Sequence, residues 1–234
     1  MELEFSNVSK NYGTQRVLSN ITFSFKSNRI YGVVGPNGVG KSTLLKCAVG
    51  LLDVDEGLIM IDDKKVNVFN RDDVVENVSY LLSTGVIKHL SGWNNALLFA
   101  KLYKIENEEL ERLFKEFDLF GAKDKKVSTY SLGMKQRLAL IISLLNIKRK
   151  IIILDEPYLG LDPIGIRTLN KKLLNLKDKG YLIIVSNHQL HESEKIFDEV
   201  IFLTNKEIIV RENTIGNGKS LADTFDEIYV GGDI

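Results

Sequence analysis

Residues 35–42 read Gly35-Pro36-Asn37-Gly38-Val39-Gly40-Lys41-Ser42. They fit G-x-x-x-x-G-K-S, the pattern of a loop that cradles phosphate. The run before it, Ile30-Tyr31-Gly32-Val33-Val34, is apolar and β-rich, and the run after it, Thr43-Leu44-Leu45-Lys46-Cys47-Ala48-Val49, suits a helix. That strand–loop–helix context is what the motif requires. Glycines let backbone N–H groups converge on an anion without a Cβ in the way. The N-terminus of the following helix adds partial positive charge at the same spot. In such a loop Lys41 reaches the β- and γ-phosphates and the Ser42 hydroxyl ligates Mg²⁺. Gly35, Pro36, Asn37, Gly38, Val39, Gly40, Lys41, Ser42 and Thr43 are therefore the candidate nucleotide-binding residues. The bland alternative, a glycine-rich turn beside a surface lysine, fits the flanks poorly.

A second constellation lies downstream. The apolar run Ile151-Ile152-Ile153-Leu154 ends in Asp155-Glu156-Pro157. A carboxylate at the tip of a buried strand, following a phosphate loop, is the arrangement that holds Mg²⁺ in nucleotide hydrolases. Asp155 takes that place. Glu156, one residue on, is positioned to orient or deprotonate a water that attacks the γ-phosphate. Alone, two acids could simply cap a strand in solvent; paired with the loop they read as chemistry.

Composition bounds the rest. The chain has 234 residues, 44% of them hydrophobic, enough for one large α/β domain with a buried core. Lys+Arg and Asp+Glu are 31 each, so the chain lacks the basic excess of a bulk nucleic-acid binder, and no nucleic-acid partner is expected. A single cysteine, Cys47, excludes an internal disulfide and suits a reducing compartment; in the helix after the loop it reads as a small packed side chain. The start, Met1-Glu2-Leu3-Glu4-Phe5, is acidic and alternating, unlike a signal peptide. No stretch reaches the roughly 18 apolar residues of a membrane span. A cytosolic chain is expected, with any membrane role supplied by a partner.

Residues 2–25 alternate apolar and polar, as in Leu3, Phe5 and Val8 and then Ile21, Phe23 and Phe25, and predict half-buried antiparallel strands. Ser27-Asn28 predicts a turn. Residues 57–69 predict a short strand pair with its turn at Asp62-Asp63-Lys64-Lys65. Residues 91–148 change character. Trp93, Ala96, Leu97, Ala100 and Leu102-Tyr103 recur at helical spacing, as do Leu110, Leu113, Phe114 and Phe117, and Leu132 to Asn146 is a third helical run. Ile151–Leu154 and Tyr181–Val185 suit buried parallel strands, with a helix at about 163–179 between them. The charges from Glu106 to Glu111 and Lys123 to Lys126 read as a solvated helical face. His89 and His191 have no context and read as surface residues.

Three further features narrow the class. Ser131-Leu132-Gly133-Met134-Lys135-Gln136-Arg137 opens the third helical run, Gly160-Leu161-Asp162-Pro163 follows the acidic pair, and Ser186-Asn187-His188 follows the second apolar strand. In order and spacing the chain resembles the ATP-binding subunit of ABC transporters, over essentially its whole length to Leu221-Ala222-Asp223-Thr224-Phe225. The resemblance implies a P-loop NTPase core of class α/β, with a mostly parallel central sheet, an antiparallel β-subdomain and an inserted helical subdomain. It implies a single ATPase domain over 1–234, with the nucleotide-binding core at 1–84 and 150–234 and the helical subdomain at about 85–149. Ser131–Gln136 is similar to the family's signature, and Met-Lys-Gln at its end resembles exporter-type members. Ser131 and Gly133 then serve a nucleotide held by a second subunit. Asp162 matches the loop after the acidic pair, His188 the histidine that contacts the γ-phosphate, and Tyr12 the aromatic residue that stacks on adenine. Lys41, Glu156 and His188 become the catalytic set, and Ser42 and Asp155 the Mg²⁺ ligands. Ser83 stands where the family usually has Gln, and its shorter side chain is a weaker reach toward the metal.

The implied activity is hydrolysis of ATP with Mg²⁺, coupled to transport through dimer closure on two ATP. The implied partners are a transmembrane permease subunit and a second ATP-binding subunit, identical or closely related. The implied location is cytoplasmic, peripheral on the inner face of the membrane, and the direction export. Val86, Ile87, Leu90 and Trp93 are expected near the permease, some of them exposed, although ordinary packing explains Trp93 equally well. The rivals are a soluble ABC-type ATPase acting on ribosomes or DNA and a kinase-like P-loop transferase.

Overall fold

The computed structural model describes residues 1–69, 78–81, 86–145, 150–188, 194–204, 207–212 and 220–230. Ser83, Asn146 and His191 lie outside the described residues.

Two sheets form. The first is antiparallel, in the order β2-β1-β4-β5, from β1 (Glu2–Tyr12), β2 (Gln15–Lys26), β4 (Glu56–Ile61) and β5 (Lys64–Lys65). Leu3, Phe5, Ile21 and Phe25 are buried as the alternation expects, Phe23 is only half-buried, and Val8 joins the same core across a register shift after Phe5. Asn28 takes a left-handed φ of 65° in the turn after β2. The turn expected over residues 62–65 is tighter: Asp62, with φ 49°, starts a two-residue turn, and Lys64 and Lys65 already pair with Ile61 and Met60.

The second sheet runs β10-β9-β3-β8-β7-β6, from β3 (Arg29–Val34), β6 (Val78–Leu81), β7 (Ile151–Leu154), β8 (Leu182–Asn187), β9 (Glu199–Thr204) and β10 (Glu207–Glu212). Neighbours are parallel except β10, which runs antiparallel to β9. β3, β7 and β8 are near-continuous apolar runs because helices and the first sheet cover both faces. Along β3, Ile30 and Val34 join the core on the helical side, while Tyr31 and Val33 join the core against the antiparallel sheet. Phe23, Phe25 and Tyr31 meet there edge-on, with ring centroids 4.8–6.0 Å apart.

Among the described residues the α-helices are α1 (Lys41–Ala48), α2 (Gly92–Tyr103), α3 (Asn107–Glu116), α4 (Leu132–Leu144), α5 (Pro163–Asp178) and α6 (Leu221–Tyr229). α2, α3 and α4 pack together through Ala96, Ala100, Leu110, Leu113, Phe114 and Leu138. Leu102, expected on the packed face of α2, is instead 71% exposed. Trp93 is half-buried, tilted against Phe114 with centroids 5.5 Å apart and with Lys123 over its ring at 4.6 Å. Ordinary packing therefore accounts for Trp93, whereas Ile87 is exposed. The buried Lys172 of α5 reaches Glu116 of α3 at 2.9 Å, a tie between helical insertion and core.

Candidate nucleotide site

The parallel register sets the site. Val34 pairs with Asn187 and Leu154 with Val185, so β3, β8 and β7 end side by side on one edge of the sheet. Three segments meet there: the phosphate loop after β3, Asp155-Glu156 after β7, and His188 after β8. Ligands of open α/β sheets bind at this carboxyl edge.

Gly38 and Gly40 hold φ of 84° and 116°, values that a side chain disfavours, and Gly40 caps α1. The Lys41 side chain is buried within its own loop. Its Nζ donates to Gly35 O at 2.8 Å and Pro36 O at 3.1 Å, and lies 3.4 Å from Glu156 Oε1. The other oxygen, Glu156 Oε2, lies 2.6 Å from His188 Nδ1. Lys41, Glu156 and His188, each singled out on separate grounds, are thus one contact network.

The backbone around Glu156 is held as firmly. Its φ is 50°, an uncommon value for a residue with a Cβ. Ser186 Oγ accepts from Glu156 N at 2.8 Å and donates to Asp155 Oδ1 at 2.6 Å. Gln136 Nε2 donates to Pro157 O at 3.0 Å and Glu156 O at 3.3 Å. Sequence reasoning gave no role to Ser186 or Gln136. The register places Ser186 beside Asp155, and Gln136 lies about one helical turn beyond the cap of α4, but neither forms a recognisable pattern alone. Burial, and then the Asp155 charge, push the Tyr80 phenol well above its usual range. Cys47 is buried and its thiol is pushed up to about 12, which matches a packing role.

The signature segment stands on the surface. Ser131 caps α4 by accepting from Met134 N at 3.2 Å, which leaves the positive end of the helix exposed. A Cβ on Gly133 would stand 2.6 Å from Gly160 O, so this close approach needs glycine. Asp162 caps α5 by accepting from Gly165 N at 2.9 Å. That N–H, and then the Arg137 guanidinium at 2.8 Å, hold the Asp162 carboxyl below its usual range. Arg137 also reaches Asp118 Oδ2 at 3.1 Å and the carbonyls of Asp118 and Phe117 at 3.3 and 3.4 Å. It was not singled out in the sequence. Tyr12, at the end of β1, is 49% exposed. His89 is on the surface.

Fold and loop together define a P-loop nucleotide-binding protein. The ABC transporter family pattern matches residues 18–159, and the chain belongs to that family as an ATP-binding component. It is 32% identical over 224 residues to a lantibiotic transport ATP-binding protein of Streptococcus pyogenes, covering 96% of each chain. It is 33% identical over 203 residues to a bacitracin transport ATP-binding protein of Enterococcus faecalis, covering 85% of this chain and 65% of that one. A solved ATP-binding subunit of an ABC transporter superposes with a TM-score of 0.85 at 30% identity, covering 99% of both chains. Among the described residues no helix is long and apolar enough to cross a membrane.

Proposed function

We propose that this chain hydrolyses ATP to ADP and phosphate, and that two cassettes closing on two ATP drive transport through a transmembrane permease. The observation that carries this reading is the convergence of Lys41, Glu156 and His188 at the shared edge of β3, β7 and β8.

In this reading the backbone N–H groups from Gly38 to Thr43 and the Lys41 amine neutralise the β- and γ-phosphates. The Ser42 hydroxyl and Asp155 carboxylate hold Mg²⁺; hard oxygens in small number are what this ion takes from protein, with phosphate and water completing its shell. When bound, the ion neutralises charge on the phosphate oxygens. Glu156 accepts a proton from water as the water oxygen bonds to the γ-phosphorus. The bond to the β–γ bridging oxygen breaks and its electron pair leaves on ADP. His188 steadies the γ-phosphate, and its Nδ1 together with Lys41 Nζ holds the Glu156 carboxylate. Tyr12 offers a ring face to adenine.

Residues 1–84 and 150–234 act as the nucleotide-holding core and about 85–149 as the helical unit that presents the signature. Ser131, Gly133 and Asp162 then complete the nucleotide site of a second cassette. Leu132, Leu159 and Ile164, on the same segments, are 64%, 53% and 62% exposed, and such side chains gain by burial against a second copy or a close relative. Ile87 with Val86 and Leu90 is the proposed contact for the permease, which would hold the chain on the cytoplasmic face of the membrane. The relatives named for lantibiotic and bacitracin transport favour a cargo of that kind, and export is the direction that the Met134-Lys135-Gln136 resemblance favours. They lend no support to action on ribosomes or DNA.

The decisive experiment is sedimentation of Glu156→Gln with saturating Mg²⁺ and ATP. Binding is expected to persist and the chain to accumulate as an ATP-bound dimer. A variant that binds ATP and stays monomeric, together with wild-type turnover per molecule that is indifferent to dilution, overturns the paired-site reading.

A further inference from the structure

Helix α6 ends directly against the phosphate loop. Its start is fixed by a reciprocal cap: Ser220 Oγ accepts from Asp223 N, and Asp223 Oδ2 accepts from Ser220 N, both at 3.0 Å. Leu221 and Thr224 are buried, and the Tyr229 ring packs at a tilt against Phe225, centroids 4.6 Å apart, and Phe202 of β9, 6.5 Å apart. The phenol then reaches into the carboxyl edge of the parallel sheet. Tyr229 Oη lies 2.8 Å from Leu203 O and 3.2 Å from Val34 O, one hydroxyl proton shared between two carbonyls. Burial pushes this phenol well above its usual range, so it stays a neutral donor at physiological pH.

Val34 is the last residue of β3, and its carbonyl shares a rigid peptide plane with Gly35 N–H. Gly35 is crowded from the same direction. A Cβ there would stand 2.9 Å from Leu203 O, 2.9 Å from Val39 Cγ1 and 3.1 Å from Tyr229 Oη. The Gly35 carbonyl in turn accepts from Lys41 Nζ at 2.8 Å. A continuous path of bonded groups therefore runs from the phenol, through the first peptide of the loop, to the amine that meets phosphate.

We propose that Tyr229 is a positioning residue of the nucleotide site: its hydroxyl orients the entry peptide of the phosphate loop, so that docking of the C-terminal helix and binding of a nucleoside polyphosphate support each other. The inference rests on the reading of Gly35–Thr43 as the nucleotide site. Such coupling is reciprocal, so nucleotide must also hold the helix down.

The test compares ATP and ADP affinity of the intact wild type, Tyr229→Phe and Tyr130→Phe by calorimetry, with melting temperatures taken without nucleotide. Tyr130 Oη donates to Ala122 O at 2.8 Å in the helical insertion, so its variant loses an equivalent bond away from the loop. Tyr229→Phe is expected to weaken both nucleotides by about two- to tenfold, the range of one net hydrogen bond. Tyr130→Phe is expected to lower the melting temperature without moving affinity. A second readout is amide hydrogen exchange across residues 224–229, which ATP is expected to slow in the wild type and much less in Tyr229→Phe. Should Tyr229→Phe fold poorly, exchange in the wild type decides alone. Unchanged affinity in Tyr229→Phe, equal losses of affinity in both variants, or helix amides indifferent to ATP overturns the inference. A wild type that binds neither nucleotide overturns it together with the nucleotide reading.

Discussion

His188 Nδ1 lies 2.6 Å from Glu156 Oε2, while Lys41 Nζ lies 3.4 Å from Glu156 Oε1. One carboxylate thus bridges the residue after β8 and the first residue of α1. With the carboxylate ionised, the imidazole hydrogen sits on Nδ1, and the ring is held in one orientation. The left-handed backbone of Glu156 and its bond to Ser186 Oγ fix the other end of the same side chain.

Replacing His188 with Ala removes one of the two groups that orient Glu156. Turnover is expected to fall by about 10²-fold, within the range of a mispositioned acid–base group. ATP affinity is expected to stay within about twofold, because the loop is intact. Steady-state kinetics beside a binding isotherm separates the two effects. A loss of affinity with turnover unchanged would place His188 in binding alone.

The loop, the acidic pair and the flanking strands were legible because each is local: a strand, a turn and a carboxylate within a few residues. The convergence of Lys41, Glu156 and His188 was not: only Ile151–Leu154 and Tyr181–Val185 read as parallel strands, and the structure adds β3 beside β8. Arg137 was not legible. Its partners Asp118 and Asp162 belong to different elements, and no periodicity reports that three chain segments meet at one guanidinium. Gln136 was hidden similarly, since its acceptors are backbone carbonyls that any sequence could supply. Leu102 misled because an apolar residue at helical spacing reads as core, yet α2 leaves that face uncovered. Tyr229 was not legible either, because its acceptors are the backbone carbonyls of Val34 and Leu203, far away in the chain.

Arg137 gives a prediction of its own. Its fork joins Asp162 at the start of α5 to Asp118 and to the chain end of α3. Arg137→Ala is expected to lower turnover by about tenfold while leaving ATP affinity within about twofold, because the loop it steadies follows Glu156 rather than the phosphate loop. Arg137→Lys should recover little, since an ammonium cannot span both carboxylates. Full recovery by Lys would show that charge alone suffices.

The Lys172–Glu116 pair tests how the helical insertion is tied to the core. Lys172 is buried and its amine lies 2.9 Å from Glu116, which is only partly exposed. Glu116→Ala strands a buried ammonium and is expected to cost about 1–3 kcal/mol in denaturant unfolding, below the range of fully buried pairs because Glu116 is partly solvated. The double variant Lys172→Met/Glu116→Leu should regain most of that loss. A double variant no more stable than Glu116→Ala counts against a desolvated charge as the cause.

Asp55 links acid stability to the strand that carries Tyr12. Its carboxylate accepts from Lys10 Nζ at 2.9 Å and from Asn11 N at 2.6 Å. The Lys10 bond first, and then the Asn11 N–H, hold its acid group below the usual range, and the same pairing raises Lys10. A depressed carboxylate contributes stability above its unfolded value, near pH 4, and loses it as pH falls toward the folded value. A raised lysine contributes below its unfolded value, near pH 10, and loses it only as pH rises beyond that. Asp55→Asn should therefore melt below the wild type by a constant margin between about pH 5 and 9, roughly 1–3 °C for so exposed a pair. Below pH 4 the margin should close, because the wild type then loses the bond that the variant never had. Scanning calorimetry across that range is the check. A margin that survives unchanged at pH 3 would mean that the carboxylate's charge contributes nothing, and that only the shape of the Asp55 contact anchors the strand before Tyr12.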